Sequence, residues 1–315
     1  MVINERCSQR FISREQSTDR TDVSPQINRA SARGGAGSKH LTQTTAQRQE
    51  IFGREWRGGH QQQEGEGQED TQPITSQIFT RNEHMKDLLT DGDIFVPRTR
   101  TARNAVSCSN CAWQKLSNTV QVPYDVSTSF TSSEKITINN AISAFHMSTC
   151  VRFVPRVAQT DYISIEKLSG CWSYAGRTGG AQQLSLGAGC VQHGIVQHEL
   201  IHALGFWHEQ SRSDRDSYVR INYENILDGY ASNFDRKETN NLAVPYDYSS
   251  VMHYAAKDFS KNGGDTITPL TPSAQIGQRA SMSDSDILKI NKLYDCSKYT
   301  TSLGLCGLTL VLSSR

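Results

Sequence analysis

The stretch His198-Glu199-Leu200-Ile201-His202-Ala203-Leu204-Gly205-Phe206-Trp207-His208-Glu209 decides how this chain folds and what it can hold. On an α-helix, residues four apart lie on nearly the same face, one turn above the other. His198 and His202 therefore point at one place. Imidazole nitrogen binds zinc at about 2.0–2.1 Å, and a catalytic zinc usually has three protein ligands and a position left for water. Glu199, beside the first histidine, can reach that water rather than the metal. There it can accept the water's proton and pass it to a leaving amine. Zinc lowers the pKa of such a water to about 7 and polarises a scissile carbonyl. Gly205 explains how a third histidine joins: helices commonly end at a left-handed glycine, which has no Cβ to clash. The chain turns there, and His208 can return to the metal from outside the helix. H-E-x-x-H alone has a real false-positive rate, but H-E-x-x-H-x-x-G-x-x-H is far more specific. The competing reading, a helix with surface histidines, leaves Glu199 and three clustered imidazoles without partners, at a desolvation cost.

Downstream lies Ser250-Val251-Met252-His253-Tyr254. Met252 alone reads as a core gap-filler. Beside the zinc motif it reads as the methionine turn beneath metzincin zinc sites. With these two elements, His198 to Ile221 (HELIHALGFWHEQSRSDRDSYVRI) and SVMHY, the chain resembles the astacin family of secreted zinc endopeptidases. Within that family it is most similar to the hatching-enzyme (choriolysin, egg-envelope-digesting) branch. Supporting stretches are Arg103-Asn104-Ala105, Gly170-Cys171-Trp172, Gly176-Arg177-Thr178-Gly179-Gly180, Gly189-Cys190-Val191 and Met282-Ser283-Asp284. The resemblance covers roughly Asp87 to Lys298. It implies an α+β, metzincin-like, two-lobed catalytic domain. The N-terminal lobe would hold a mixed sheet and the zinc helix; the C-terminal lobe would be mostly irregular, with a terminal helix. It also implies one Zn2+ per domain on His198, His202 and His208, with Glu199 as general base. Tyr254 would be a further ligand at rest that swings to stabilise the oxyanion. Glu209 would hold the mature amino terminus through a buried, water-linked contact.

The 315 residues are a soft prior for one or two domains, and a net charge of +1 gives no hint of nucleic-acid or membrane partners. No run approaches the ~18–20 apolar residues that span a bilayer. The tail Leu303–Leu312 is too short and contains glycines; it reads as an odd terminus, with a remnant hydrophobic signal as the alternative. The start, MVINERCSQRFISREQ, lacks the apolar core of a signal peptide. The extracellular character of the catalytic region then favours a missing or replaced amino terminus over another export route.

Eight cysteines support the oxidising compartment. The resemblance implies Cys150–Cys296 and Cys171–Cys190, plus a small N-terminal loop bridge for which Cys108–Cys111 is the candidate. Its C-x-x-C spacing leaves a redox-active or zinc-binding pair as the rival. Cys7 and Cys306 are left over, and there is no N-x-S/T sequon.

Residues 1 to about 82 are polar, and His60–Gln72 (HQQQEGEGQEDTQ) has no bulky apolar residue. Such a leader cannot bury enough surface to offset chain entropy and is expected to be disordered. Residues 83–103 resemble the end of a prosegment. In Asp91-Gly92-Asp93 the resemblance makes Asp93 the blocking zinc ligand, with Thr90 where an aromatic or leucine is usual; a plain D-G turn is the alternative. VPRTRTARNAV follows, and a trypsin-like protease could cut after Arg103, freeing Asn104, or after Arg100. The catalytic domain then runs over 104–298, and 299–315 is a tail.

Within the domain, Val120–Tyr124, Val151–Pro155 and Gln182–Leu186 read as strands, and Tyr162–Leu168 alternates with Ile163 and Ile165 on one face. Thr131-Ser132-Ser133-Glu134 is a capping box opening a helix whose Ile138, Ala141, Ile142 and Phe145 share a face. The zinc helix spans about Val191–Leu204. Ser283-Asp284-Ser285-Asp286 caps a last helix with Ile287, Ile290, Leu293 and Tyr294. Cys171–Gly176 is either an exposed edge for an extended peptide or a plain disulfide loop. Arg212-Ser213-Asp214-Arg215-Asp216 reads as a solvated face by charge alone, and by the resemblance as a buried ion-pair network anchoring the loop of His208. His146, His193 and His253 read as structural.

The expected function is a secreted zinc endopeptidase, made as a zymogen, monomeric, acting on protein substrates, with egg-envelope proteins implied by resemblance alone. The rival is a catalytically inactive extracellular module stabilised by zinc. Glu199 discriminates between them, because a retired enzyme has no need of a carboxylate beside the water.

Overall fold

The computed structural model describes residues 72–95, 111–278 and 280–296. Cys7, Arg98, Arg100, Arg103, Asn104, Cys108 and Cys306 lie outside the described residues, as do 1–71 of the leader and the tail.

The boundary of the polar leader needs correcting. Residues assigned to it form helix α1, Ile74–Asn82, which buries Ile74, Ile78, Phe79 and Asn82. Ile74 and Ile78 are four apart, with Phe79 beside them, so the segment carries one apolar stripe. The Gln-rich composition upstream obscures that short pattern. A 3-10 turn, Glu83–Met85, leads to a small hairpin of β1 (Leu89–Thr90) and β2 (Ile94–Phe95), antiparallel with Thr90 opposite Ile94. Its tip is the Asp91-Gly92-Asp93 turn, with Asp91 at φ 51° and Gly92 at φ 87°. Asparagine, aspartate and glycine tolerate that left-handed region best.

A six-stranded mixed sheet comprises β3 (Lys115–Leu116), β4 (Thr119–Val126), β5 (Val151–Pro155), β6 (Tyr162–Glu166), β7 (Cys171–Trp172) and β8 (Ala181–Leu186). β4 pairs in parallel with β5 and β6, β6 with β8, while β7 is antiparallel to β8 at one edge. Period-two patterning sets the faces: Val120, Val122, Ile163 and Ile165 are fully buried. Helix α2 (Ser132–Ser148) opens with the Thr131/Glu134 capping box and lays Ile138, Ala141, Ile142 and Phe145 into the core. Helix α3 (His193–Ala203) carries the first two motif histidines. Beyond it the chain is mostly turns, with one short antiparallel pair, β9 (Val219–Ile221) and β10 (Ile267–Pro269). Helix α4 (Asp284–Leu293) closes the described fold behind the Ser283/Asp286 capping box.

Disulfides join Cys150 to Cys296 and Cys171 to Cys190. The first ties the end of α2 to the end of α4 across 146 residues. Cys111 is also disulfide-bonded, and its expected partner Cys108 lies outside the described residues. The end of α3 is clamped from two sides: Trp113 Nε1 donates to the Ala203 carbonyl at 2.9 Å and the Tyr294 hydroxyl to that of Leu204 at 2.9 Å. Both satisfy carbonyls a helix end would leave orphaned. No helix among the described residues is long and apolar enough to cross a membrane.

Candidate metal and catalytic centre

Two backbone carbonyls orient the zinc-helix imidazoles. His198 Nδ1 donates to the Val251 carbonyl at 2.9 Å, and His202 Nδ1 to that of Phe206 at 2.8 Å. A ring that gives its proton away at Nδ1 presents a bare lone pair at Nε2. Those two Nε2 atoms are only 3.1 Å apart. Gly205, at φ 107°, breaks the chain away from the helix and lets His208 return.

The third imidazole and one carboxylate complete the cluster. Asp93 Oδ2 lies 3.0 Å from His198 Nε2 and 3.2 Å from His208 Nε2, and Asp93 Oδ1 lies 3.4 Å from His202 Nε2. All four side chains are fully buried. Burial pushes His208 down to about 3, so its imidazole is neutral near pH 7. Neutral imidazole lone pairs and an anionic oxygen facing one another in a dry site repel unless a cation sits among them. Four ligands bonded at about 2.0–2.1 Å in a tetrahedron are separated by about 3.3 Å, and the distances here are of that size. Among the described residues these four could hold a metal ion, one donor atom each, all within 4.8 Å of one another. Three nitrogens and one oxygen suit zinc.

Glu199 lies beside this group, fully buried, and neither carboxylate oxygen has a hydrogen-bond partner. Burial pushes its carboxyl well above the usual carboxylate range, and the neighbouring Asp93 charge adds to the effect. A cation among the four donors acts oppositely and favours the ionised forms.

Tyr254 is fully buried with its ring 4.7 Å from that of His208. Its hydroxyl donates to the backbone carbonyl of Asp91 at 2.6 Å. Met252 is buried, and its carbonyl accepts the Glu209 N–H at 2.9 Å. Glu209 faces Lys289 Nζ at 2.6 Å, Arg212 Nη1 at 3.1 Å and the Asp247 N–H at 2.9 Å. Arg212 is buried between Glu209 and Asp214, and Arg215 reaches the carbonyls of Gln210 and Phe234. Within the stretch 212–216, Arg212 and Arg215 are therefore internal scaffolding, their guanidiniums satisfying buried carbonyls and the Glu209 carboxylate. The solvated reading holds only for Asp216, which stays exposed.

His253 is buried and neutral: Nδ1 donates to the Tyr254 carbonyl and Nε2 accepts from the Tyr246 hydroxyl, both at 2.7 Å. Burial pushes it down to about 4, below its unfolded value of 6.5. The unfolded chain then binds the extra proton between those values. His253 contributes stability that is present above about pH 6.5 and lost as pH falls towards 4. Thermal melts of the wild type and His253→Gln across pH 4–7 should show a flatter acid limb in the variant. Parallel limbs would remove His253 from the acid response.

Several site residues carry no local signal in the sequence. Asn82 donates Nδ2 to the carbonyls of Gly92 and Cys171, at 2.9 and 2.6 Å, and accepts the Cys171 N–H at 2.8 Å. Lys237 lies 3.1 Å from buried Asp91. Asp258 receives the hydroxyls of Thr75 and Ser76. Along the β7 edge, Ser173 N–H donates to the Asp93 carbonyl and the Ser173 carbonyl accepts the Phe95 N–H, at 3.1 and 2.8 Å. The edge reading of Cys171–Gly176 thus fits a backbone pairing, made here with the chain's own residues 93–95.

Comparison with known proteins agrees with this geometry. The model of the Astacin peptidase family matches residues 109–295. High choriolytic enzyme 1 of Oryzias latipes is 51% identical over 229 residues, covering 71% of this chain and 84% of that protein. Low choriolytic enzyme of the same species is 47% identical over 230 residues, with the same coverages. The solved structure of High choriolytic enzyme 1, a hatching enzyme zinc-protease, aligns with a TM-score of 0.59 at 52% identity, covering 61% of this chain and 100% of that one. The chain belongs to the astacin family of peptidases. It is a metalloendopeptidase similar to hatching enzymes, and its substrates are proteins.

Proposed function

We propose that the protein is a secreted, monomeric zinc endopeptidase made as a zymogen, with one Zn2+ on His198, His202 and His208. The observation that carries this is the convergence of three imidazole nitrogens and one Asp93 carboxylate beside the unpartnered carboxylate of Glu199. Bound there, zinc supplies Lewis acidity, which acidifies a water and polarises a substrate carbonyl. Glu199 accepts the proton from that water and hands it to the leaving amide nitrogen. Its burial and lack of hydrogen bonds keep it free for that transfer. The carbonyls of Val251 and Phe206 hold the first two imidazoles in the tautomer that faces the centre. Tyr254 is freed when the Asp91 carbonyl departs, and its hydroxyl then donates to the oxyanion that develops on the substrate.

Asp93 is the latency ligand: it fills the corner that water and substrate need. A trypsin-like protease cutting after Arg100 or Arg103 releases it, and the new amino terminus docks near Glu209. The likeness to the choriolytic enzymes favours egg-envelope proteins as substrates.

The test uses the full-length protein and Asp93→Ala. The wild type should contain one equivalent of zinc and hydrolyse casein only after limited trypsin, and 1,10-phenanthroline should abolish that hydrolysis. Asp93→Ala should hydrolyse casein before any cut, at about ten times the uncut wild-type rate or more, since one well-placed charge contact is worth at least tenfold. Metal-free protein after correct oxidation would refute the centre. Equal latency in both proteins would refute the role of Asp93.

A further inference from the structure

Phe79 of α1 is seated directly beside the catalytic centre. Its ring stacks on Phe259 with centroids 4.5 Å apart, meets the Tyr254 ring edge-on at 4.8 Å, and lies 6.2 Å from His208. Tyr230 stacks on Phe259 at 5.1 Å, and Phe234 closes on Tyr254 at 5.6 Å. The catalytic part of the chain therefore presents an aromatic recess, and Phe79 fills it so fully that it is only 8% exposed. Phe259 itself keeps part of its surface open on a groove of about 580 Å³.

Gly92 relates this recess to a peptide passing the metal centre. It immediately precedes Asp93, whose carboxylate sits among the three histidines. A Cβ at Gly92 would lie 2.5 Å from the Phe79 ring and 3.0 Å from Phe259 Cζ. The backbone that threads the centre thus runs against the recess. Phe79 takes, from a separate helix, the space a side chain on that backbone would use, so the threading residue has to be glycine.

On the proposed activation, the cut lies beyond residue 95, so α1 and Phe79 are severed from the catalytic domain. The emptied recess exposes aromatic faces next to the scissile position. We infer that this recess, formed by Phe259, Tyr230 and Tyr254, is a substrate subsite that selects an aromatic side chain close to the cleaved bond. Phe259 and Tyr230 are its specificity-determining residues. Aromatic rings suit it because offset-stacked and edge-on contacts are already in place for Phe79, and a flat ring makes both at once. A smaller aliphatic chain leaves part of the recess unfilled and loses those contacts.

This inference rests on the endopeptidase reading, and the experiment separates the two. Trypsin-activated enzyme is given a set of fluorogenic peptides of one sequence. Phe or Ala is placed in turn at each of the two positions on either side of the scissile bond. At one position the Phe peptide should exceed the Ala peptide by about tenfold or more in kcat/KM, the scale of discrimination by an apolar pocket. The difference should lie mainly in KM. In Phe259→Ala that ratio should fall to within about threefold of unity. Because a ratio is read, partial loss of folded enzyme does not move it. Tyr230→Ala is the second variant, in case Phe259→Ala does not fold, and its ratio should fall by about threefold or more. Failure of wild-type enzyme to cut any peptide would sink the endopeptidase reading. Cutting without preference for Phe at any position, or a preference untouched in the folded variants, would overturn the subsite.

Discussion

Glu199→Gln is expected to lower kcat/KM by about 10²–10⁴-fold while leaving metal content at one equivalent, the usual contribution of a positioned general base. The amide has the same shape, and the carboxylate it replaces makes no hydrogen bond in the fold, so stability should not suffer. The measurement is steady-state hydrolysis of a fluorogenic peptide by the activated variant, beside metal analysis of the same sample. Wild-type activity with full metal would transfer the base role to another residue. Loss of metal together with activity would make Glu199 part of the metal scaffold.

The second large effect is structural. Lys289→Ala should destabilise the protein by about 3 kcal/mol, since removing one partner of a buried ion pair typically costs ~3–5 kcal/mol. The side chains of Lys289 and Glu209 are 9% and 4% exposed. Burial pushes Glu209 up in spite of Lys289 and Arg212, while Glu209 holds Lys289 above the ordinary lysine range against its own burial. Each charge therefore leans on the other, Glu209 also facing Arg212 and Lys289 also facing Asp286. For a domain of this size the melting temperature should drop by roughly 6–12 °C. Adding Glu209→Gln to Lys289→Ala should recover part of the loss, because Glu209 is then no longer a buried charge without Lys289, and Arg212 keeps Asp214. A drop below about 2 °C in the single variant would show that water already reaches the pair.

The zinc helix, its Gly205 break and the buried faces of α2 and β6 follow from spacing alone, because each is a local period imposed by backbone geometry. The capping boxes at Thr131 and Ser283 were legible for the same reason. α1 was not: its stripe is one helix long and lies against a Gln-rich flank, so composition hid Ile74, Ile78 and Phe79. The partners made across the fold were hidden too. Lys237 meets Asp91 and Asp258 meets Thr75 across long sequence separations, and no periodicity encodes such contacts. Lys289 sits three residues after Asp286 on a polar-looking helix face. Only the fold shows that this face turns inward to Glu209.

Asp286 gives the last helix a share in the metal centre. Its carboxylate accepts the Ser250 hydroxyl at 2.6 Å and the Val251 N–H at 2.9 Å, and Val251 in turn supplies the carbonyl that fixes His198. The centre thus reaches its final geometry only after residues near the far end of the domain have been synthesised. A chain still emerging from the ribosome carries all three histidines yet lacks the brace that aims the first of them.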